Sequence, residues 1–334
     1  PNAALYGANA FQGVINIITK EPEETQGGLA SVTAGSRDSQ WAMLRYGAEA
    51  ERFSCRATAG YRSTEGFSGV HDYVRKPQVT FRCNYHIDDS SRIIVDGGYA
   101  GGDREIRREF DPEINSYFLI ARFEKQFSSR TRMRLHYYHD YRNSALTFGH
   151  EDKLREDDVE LQINHDGDRY NLVFGTGYRI DRVRHGFLSH DDYREFVQKG
   201  PHGLNLETSY NHIFKTFVNY TYHLGDLVHI TAALMVEDND FVGTMYSPKG
   251  AVVYTPTENH SLRLSVSRAY RTPSFIEERA SMSVPAPFYP FYIGQQGNSS
   301  LSPERITAYE AGYRGRYLGG ALEVNVEAFY HDID

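Results

Sequence analysis

The sequence predicts an all-β protein, a transmembrane antiparallel β-barrel. Three observations lead there. Strand-like runs alternate apolar and polar residues with period two. The runs are about 10–14 residues long, against ~5–6 for most soluble strands and ~9–11 for a strand crossing a bilayer at a tilt. The connections alternate between tight turns and longer loops. A soluble sandwich also alternates, with its apolar face inward, but it has no reason to segregate loop length. A membrane barrel does, with short periplasmic turns and longer extracellular loops.

Taken in order, the chain opens with Pro1 to Lys20, rich in small residues and glycine, and Val14 to Thr19 reads as a short buried strand because it is β-branched. Glu21 to Gly28 is a polar link. Strands then follow without interruption. Phe53, Cys55, Ala57, Ala59 and Tyr61 fall on one face, opposite Arg52, Ser54, Arg56, Thr58 and Arg62. Val79, Phe81, Cys83, Tyr85 and Ile87 repeat the pattern against Gln78, Thr80, Arg82, Asn84 and His86. Met133, Leu135 and Tyr137 alternate with Arg132, Arg134 and His136; Leu262, Leu264 and Val266 with Arg263, Ser265 and Ser267; Leu322, Val324, Val326 and Ala328 with Glu323, Asn325 and Glu327. The apolar faces are expected against lipid and the charged faces in the lumen.

Tight turns are expected at 49–51, 88–91, 127–129, 165–168, 225–226, 255–260 and 318–320. Longer loops are expected at 63–74, 101–114, 143–153, 183–211, 238–246 and 272–302.

Composition is compatible with this. The 334 residues include 25 Tyr and 29 Gly, and aromatics make up 13%. Mean hydropathy is negative, as expected when lipid-facing and water-facing residues alternate. An excess of Tyr suits the aromatic girdles of a barrel. No apolar run is long enough for a transmembrane helix, and no secretory leader is read at the start, which opens inside a motif. Net charge is −8 with dispersed basic residues, which excludes a nucleic-acid footprint. No phosphate loop, zinc-ligand pattern or nucleophile elbow is present, so neither an enzyme nor a cofactor is expected.

Cys55 and Cys83 lie on the same face of consecutive strands. A register pairing Arg62 with Lys76 sets them directly opposite, within reach of a disulfide. The alternative is two free thiols against lipid, which the strain of cross-strand bridging favours.

Two stretches carry a family resemblance. The first is Pro1-Asn2-Ala3-Ala4-Leu5-Tyr6-Gly7-Ala8-Asn9-Ala10-Phe11-Gln12-Gly13-Val14-Ile15-Asn16-Ile17-Ile18-Thr19-Lys20. The second is Ser267-Arg268-Ala269-Tyr270-Arg271-Thr272-Pro273-Ser274-Phe275, followed after a gap by Gly297 through Gly312 with Leu301-Ser302-Pro303-Glu304 and Tyr309-Glu310 inside it. Both resemble segments of TonB-dependent outer-membrane receptors, the first at the end of the plug domain and the second in the middle of the barrel. Phe329-Tyr330-His331-Asp332-Ile333-Asp334 is similar to a strand end of the same family. The resemblance implies residues 1–22 as the end of a plug and 26–334 as barrel. Roughly fifteen strands are read, against the 22 with which plugged transporters close, so most of the plug and about seven strands are expected to be missing.

The resemblance further implies active uptake across the bacterial outer membrane, driven by the TonB–ExbB–ExbD complex, by a monomer surrounded by outer-membrane lipid and lipopolysaccharide. A ferric siderophore is the expected ligand. Cationic and aromatic side chains would hold an anionic ferric chelate, which nominates Arg104, Arg107, Arg108, Arg271, Tyr289, Phe291 and Tyr292. The plainer alternative is loop aromatics packed on each other and arginines paired with Asp103, Glu105 and Glu109. Haem receptors of the family carry a His between the two halves of the mid-barrel signature; here 274–298 has none, leaving His71, His150, His185, His190, His202 and His212 in other loops. Cobalamin remains open, with weak calcium sites conceivable at Asp191-Asp192 or Asp238-Asn239-Asp240. From other classes, a passive porin is opposed by the plug-like opening, and an outer-membrane enzyme by the strand number and the lack of a catalytic group.

Overall fold

The computed structural model describes residues 3–11, 13–67, 73–104, 115–146, 150–187, 208–279, 281–285 and 292–334. A short helix, α1 (Ala3–Tyr6), opens the chain, and a single 3-10 turn, Pro22–Thr25, ends the opening segment. The strands that follow are β1 (Gly27–Ala34), β2 (Gln40–Ala50), β3 (Phe53–Thr64), β4 (Val74–Asp88), β5 (Ser91–Ala100), β6 (Asp103–Arg104), β7 (Asn115–Ser128), β8 (Thr131–Leu146) and β9 (His150–Asp166). They continue as β10 (Tyr170–Phe187), β11 (Thr208–Leu224), β12 (Val228–Asn239), β13 (Gly243–Thr257) and β14 (His260–Arg271). Then come α2 (Phe275–Arg279), β15 (Ser281–Pro285), β16 (Tyr292–Gln296), β17 (Glu304–Tyr317) and β18 (Leu322–Ile333).

Fifteen of these strands form one antiparallel sheet in sequence order, β1 through β5, β7 through β14, then β17 and β18. The two-residue β6 pairs with β4, and β15 with β16 forms a separate hairpin. Each strand lies beside its sequence neighbours because every connection is a hairpin, the simplest closure for an antiparallel pair. The edges β1 and β18 each pair on one side only. No helix among the described residues is long and apolar enough to cross a membrane.

Register fixes which side chains share a face, since directly paired residues point the same way. One row runs Cys55, Cys83, Val95, Ala121, Tyr137, Val159, Tyr178, Phe214 across β3 to β11. The neighbouring row, one residue along, runs Asn84, Ile94, Arg122, His136, Glu160, Gly177, Lys215, Glu237 across β4 to β12. The first face is apolar and largely exposed: Leu44, Tyr46, Tyr61, Val79, Tyr178, Phe214 and Leu264 all lie open there. So large an exposed apolar surface belongs against hydrocarbon rather than water. The second face is polar and encloses the buried side chains Asn84, Asp181, Asn211 and Glu237. The predicted assignment of faces is what the sheet shows.

Cys55 and Cys83 pair directly, with Arg62 opposite Lys76, and a disulfide joins them.

Connections at one end are uniformly tight, for example Asp89-Ser90 between β4 and β5, held by the Asp88 carboxylate accepting the Ser90 amide at 2.8 Å. The other end holds the long connections between β5 and β7, β10 and β11, and β14 and β17. Two expected loops are shorter than the sequence suggested. The 143–153 loop is mostly strand, because β8 continues to Leu146 and β9 starts at His150. The 238–246 loop is a tight turn: the Asn239 side chain accepts the Phe241 amide at 2.9 Å and Gly243 adopts φ 73°. Polar residues there serve the turn rather than a longer loop.

Val14 to Thr19 is also corrected. It forms no strand, and Ile15, Ile17 and Ile18 are exposed. β-branched residues favour a strand only when a neighbour accepts the backbone hydrogen bonds, and no described strand pairs its backbone with this segment.

Candidate functional site

The opening segment is tied to the polar face at two places. The first tie is the turn after α1. Gly7 (φ 84°) and Asn9 (φ 73°) are left-handed, a conformation that glycine and asparagine tolerate best. The turn brings the Ala8 amide to Glu237 Oε2 on β12 at 3.1 Å and the Asn9 amide to the Tyr270 carbonyl on β14 at 2.8 Å. The Asn9 side chain donates to Thr272 Oγ1 at 3.1 Å and accepts the Thr272 amide at 3.0 Å. Gly7 is favoured here by its left-handed backbone, and a Cβ on it would also lie 2.7 Å from Glu237 Oε2, displacing that carboxylate. Beneath the turn Ala3, Ala10 and Phe11 pack with Ala269 and Ile306 in a small apolar cluster.

The second tie is the 3-10 turn against β2 to β4. Glu21 forms an ion pair with Arg82 at 2.7 Å and accepts from Asn84 Nδ2 at 3.0 Å. Glu23 accepts from the same amide at 3.0 Å and from the Ser54 hydroxyl. Burial alone would raise the Glu23 carboxyl, but the hydrogen bonds from Ser54 and Asn84 bring it below the ordinary glutamate value. Arg56 donates to the Lys20 carbonyl at 2.8 Å. Gly47 on β2 admits the turn, since a Cβ there would lie 2.2 Å from the Thr25 carbonyl oxygen.

Beside the first tie lies a chamber of about 840 Å³, bounded by the 6–13 segment, the inner faces of β9 to β12 and the 271–275 corner. Its charges are mixed and organised. Arg179 pairs with Asp181 at 2.6 Å and Glu156 at 3.0 Å; Lys215 pairs with Glu160 at 2.8 Å and approaches Asp158 at 3.6 Å. A chamber of that size suits a small-molecule ligand.

The rim is built from the mid-barrel signature. Pro273 follows the end of β14, as expected of a residue that cannot donate to the ladder. Ser274 then caps α2: Glu277 donates its amide to Ser274 Oγ at 3.3 Å, and the Glu277 carboxylate accepts the Ser274 amide at 2.8 Å. Arg271 reaches both Glu277 (3.2 Å) and Glu304 (2.9 Å), joining the ends of β14 and β17 to α2. The Arg271 guanidinium, with the Ser274 amide and hydroxyl, holds the Glu277 carboxyl down at about 2. Phe275 packs edge-on against Phe241, ring centres 4.9 Å apart, and the Arg279 guanidinium lies 5.1 Å from the centre of the Phe241 ring.

Of the residues nominated from sequence, Arg271 alone has a described side chain at the chamber, and its charge is already shared by two carboxylates. Arg104 belongs to β6, opposite Val74, and Tyr292 begins β16, opposite Pro285; their side chains, with Arg107, Arg108, Tyr289 and Phe291, lie outside the described residues. His212 lies in β11 on the outer face, bonded to Tyr178 at 2.7 Å, and is turned away from the chamber. His71, His190, His202, Asp191 and Asp192 lie outside the described residues, as do the side chains of His150 and His185. Asp238 accepts from Thr244 Oγ1 at 2.7 Å and, with Asn239, is occupied by the turn. Sequence reasoning missed Glu237, Glu21 and Glu23 as anchors, and Glu277. The last carried a signal, the Ser274-x-x-Glu277 capping pattern.

An antiparallel wall, apolar outside and charged inside, with its own N-terminal segment tethered within, defines a membrane β-barrel carrying an internal plug-like element. The chain belongs to the TonB dependent receptor-like β-barrel family, whose model matches residues 25–334. β-Barrels of this family are outer-membrane receptors and transporters rather than enzymes. Among curated proteins, the chain is similar to the vitamin B12 transporter BtuB of Vibrio vulnificus, 21% identical over 376 residues, covering 100% of this chain and 53% of the relative. It is also similar to BtuB of Photobacterium profundum, 23% identical over 363 residues, covering 99% and 52%. Its fold is similar to the crystal structure of the siderophore receptor PirA from Acinetobacter baumannii, with TM-score 0.74, 16% identity, and coverage of 99% of this chain and 56% of that one. A mutant of the ferric enterobactin receptor PfeA from Pseudomonas aeruginosa, in complex with enterobactin, gives TM-score 0.77 at 15% identity, covering 100% and 57%. The chain thus spans about half the length of the curated relatives it matches.

Proposed function

We propose that this chain is the end of the plug (residues 1–22) and part of the barrel (26–334) of a receptor that takes up a scarce ligand across the bacterial outer membrane, most naturally a ferric siderophore. The observation that carries the reading is the tethered opening segment. A passive porin needs an open bore, whereas here α1 and the Gly7–Asn9 turn occupy the lumen beside a ligand-sized chamber. Moving such a segment requires work from outside the barrel, which in this family is ascribed to TonB–ExbB–ExbD and the proton-motive force. The receptor works as a monomer in contact with outer-membrane lipid and lipopolysaccharide. It performs no chemistry on its cargo.

Arg271 and the loop bearing Arg104, Arg107 and Arg108, together with Tyr289, Phe291 and Tyr292, are the residues assigned to hold an anionic ferric chelate. Siderophore receptors among the structural neighbours support that ligand. The curated relatives are named vitamin B12 transporters, which favours cobalamin as the second reading.

The test is quenching of intrinsic Tyr and Trp fluorescence in the complete polypeptide that contains this chain, against ferric siderophores, haem and cobalamin. Nanomolar quenching by one ferric chelate supports iron uptake. Quenching by cobalamin alone replaces the ligand and keeps the receptor. Rapid unselective solute flux through protein-loaded liposomes would overturn the receptor reading in favour of a porin.

A further inference from the structure

The polar inner face carries a chain of side chains that the ligand chamber does not use. It lies at the tight-turn end of β9 to β12, where His223 on β11 stands directly opposite His229 on β12. Both share the inner face with Lys215 and Glu237, from which they are reached in two-residue steps along the same register. His223 Nδ1 lies 2.6 Å from His229 Nδ1, and the rings meet edge to face with centres 4.7 Å apart. His223 Nε2 lies 2.5 Å from Asn171 Oδ1, and Asn171 Nδ2 donates to Asp166 Oδ1 at 2.6 Å. All four residues are half-buried.

The chain fixes where each hydrogen sits. An ionised carboxylate only accepts, so Asp166 takes a hydrogen from Asn171 Nδ2 and turns Asn171 Oδ1 toward His223. That oxygen only accepts, so His223 Nε2 carries a hydrogen, and in the neutral ring His223 Nδ1 is a bare lone pair. His229 Nδ1 donates to it, which leaves His229 Nε2 bare. An imidazole held through its second nitrogen by a chain that ends on a carboxylate is the arrangement that orients metal-ligating histidines. A metal bound at about 2.0–2.1 Å from each Nδ1 would hold the two atoms about 3 Å apart, so a small opening of the pair admits it. Moving the His229 hydrogen from Nδ1 to Nε2 frees the second lone pair without net loss of a proton. We propose that His223 and His229 are the two protein ligands of a site for a divalent transition metal of the imidazole-preferring kind, copper(II), nickel(II) or zinc(II), bound through both Nδ1 atoms. Asn171 is its positioning residue, anchored by Asp166. Among the described residues no group of three or more His, Cys, Asp and Glu side chains is placed to hold a metal, so water completes the coordination and the ion stays exchangeable. The site goes beyond uptake of an iron chelate, because it takes the free ion.

The experiment titrates copper(II) or zinc(II) into the complete polypeptide, carrying no affinity tag, in detergent micelles. Copper is read by electron paramagnetic resonance and zinc by the imidazole resonances. Splitting by two nitrogens on one copper is expected, with the His223 and His229 rings shifting together as zinc is added. His223→Gln and His229→Gln should each abolish the two-nitrogen signal. Asn171→Leu should keep both nitrogens and weaken binding by about tenfold or more. Magnesium, which prefers oxygen ligands, should not compete. Where a glutamine variant does not fold, the zinc-dependent shifts of the wild type decide. Rings of His223 and His229 unmoved by excess zinc overturn the proposal, as does a two-nitrogen copper signal that persists in either glutamine variant. Undiminished affinity in Asn171→Leu overturns the positioning role. Fluorescence quenching by ferric chelates is a separate readout: its absence would overturn iron uptake and leave this site standing.

Discussion

The Glu237 carboxylate on β12 accepts the backbone amide of Ala8 at 3.1 Å, bonding residues 229 positions apart in sequence. This contact fixes the opening segment inside the barrel wall and places a charged group at the wall of the chamber. Glycine at position 7 favours it.

Substituting Gly7 should therefore release the segment. Gly7→Ala meets both a left-handed backbone and a side-chain clash, costing about 1–2 kcal/mol locally. Glu237→Ala removes a charged acceptor, worth about 1.5–3 kcal/mol. In each variant hydrogen exchange of the Ala8 amide should accelerate by about tenfold or more, while exchange in β9 and β10 stays unchanged. Unaltered exchange at Ala8 would remove the contact as an anchor.

The linker anchor makes a separate prediction. Arg82 is only 11% exposed at its side chain, so Arg82→Ala leaves Glu21 and Glu23 facing one another without their cation. Gly47→Ala pushes Thr25 off the wall from the other side. Limited proteolysis after Lys20 should become faster in both variants, and Arg82→Lys should recover part of the protection because it keeps the charge but loses the fork. Cleavage at the wild-type rate would show that the linker is held elsewhere.

The Arg271–Glu277 pair gives a pH dependence. The Glu277 carboxyl in the folded protein sits at about 2, below the ordinary value of 4.5. A depressed carboxyl contributes its full stabilisation above the ordinary value and loses it as pH falls through the folded one. Order in α2 should thus hold at neutral pH, decline below about pH 4.5 and vanish near pH 2. Glu277→Gln should show reduced order already at pH 7. Carbon-detected NMR of the Glu277 carboxyl measures the titration directly, and a midpoint near 4.5 would contradict it.

The Cys55–Cys83 bridge closes a loop with a sequence separation of 28. On loop-closure entropy alone, replacing both by Ser should lower stability by about 3–4 kcal/mol. Alkylation of the unfolded, unreduced protein should leave both sulfurs unlabelled, and labelling of two thiols by intact mass would exclude the bond.

Much of the fold was legible before any coordinates. Two-residue periodicity in Phe53 to Tyr61 and Val79 to Ile87 named the two faces, because a strand in a barrel has one environment on each side. The same periodicity set Cys55 opposite Cys83. Pro273 and Pro303 stand just past the end of β14 and just before β17, as expected of residues that cannot donate to a ladder. Where polarity had two causes the reading failed. Asp238 to Asp240 looked like a loop because turn residues and loop residues are alike in composition. Val14 to Thr19 looked like a strand because β propensity is local, whereas a strand needs a partner.

By itself, then, the sequence determined the alternation, the hairpin order and the family, all properties of residues near one another along the chain. Tertiary structure alone decided that Glu237 meets Ala8, that Glu21 and Glu23 share Asn84, and that Arg271 divides its charge between Glu277 and Glu304. The physical reason is that a carboxylate or guanidinium reads the same at any position in a sequence. Its role is set by what the register of distant strands brings within about 3 Å of it.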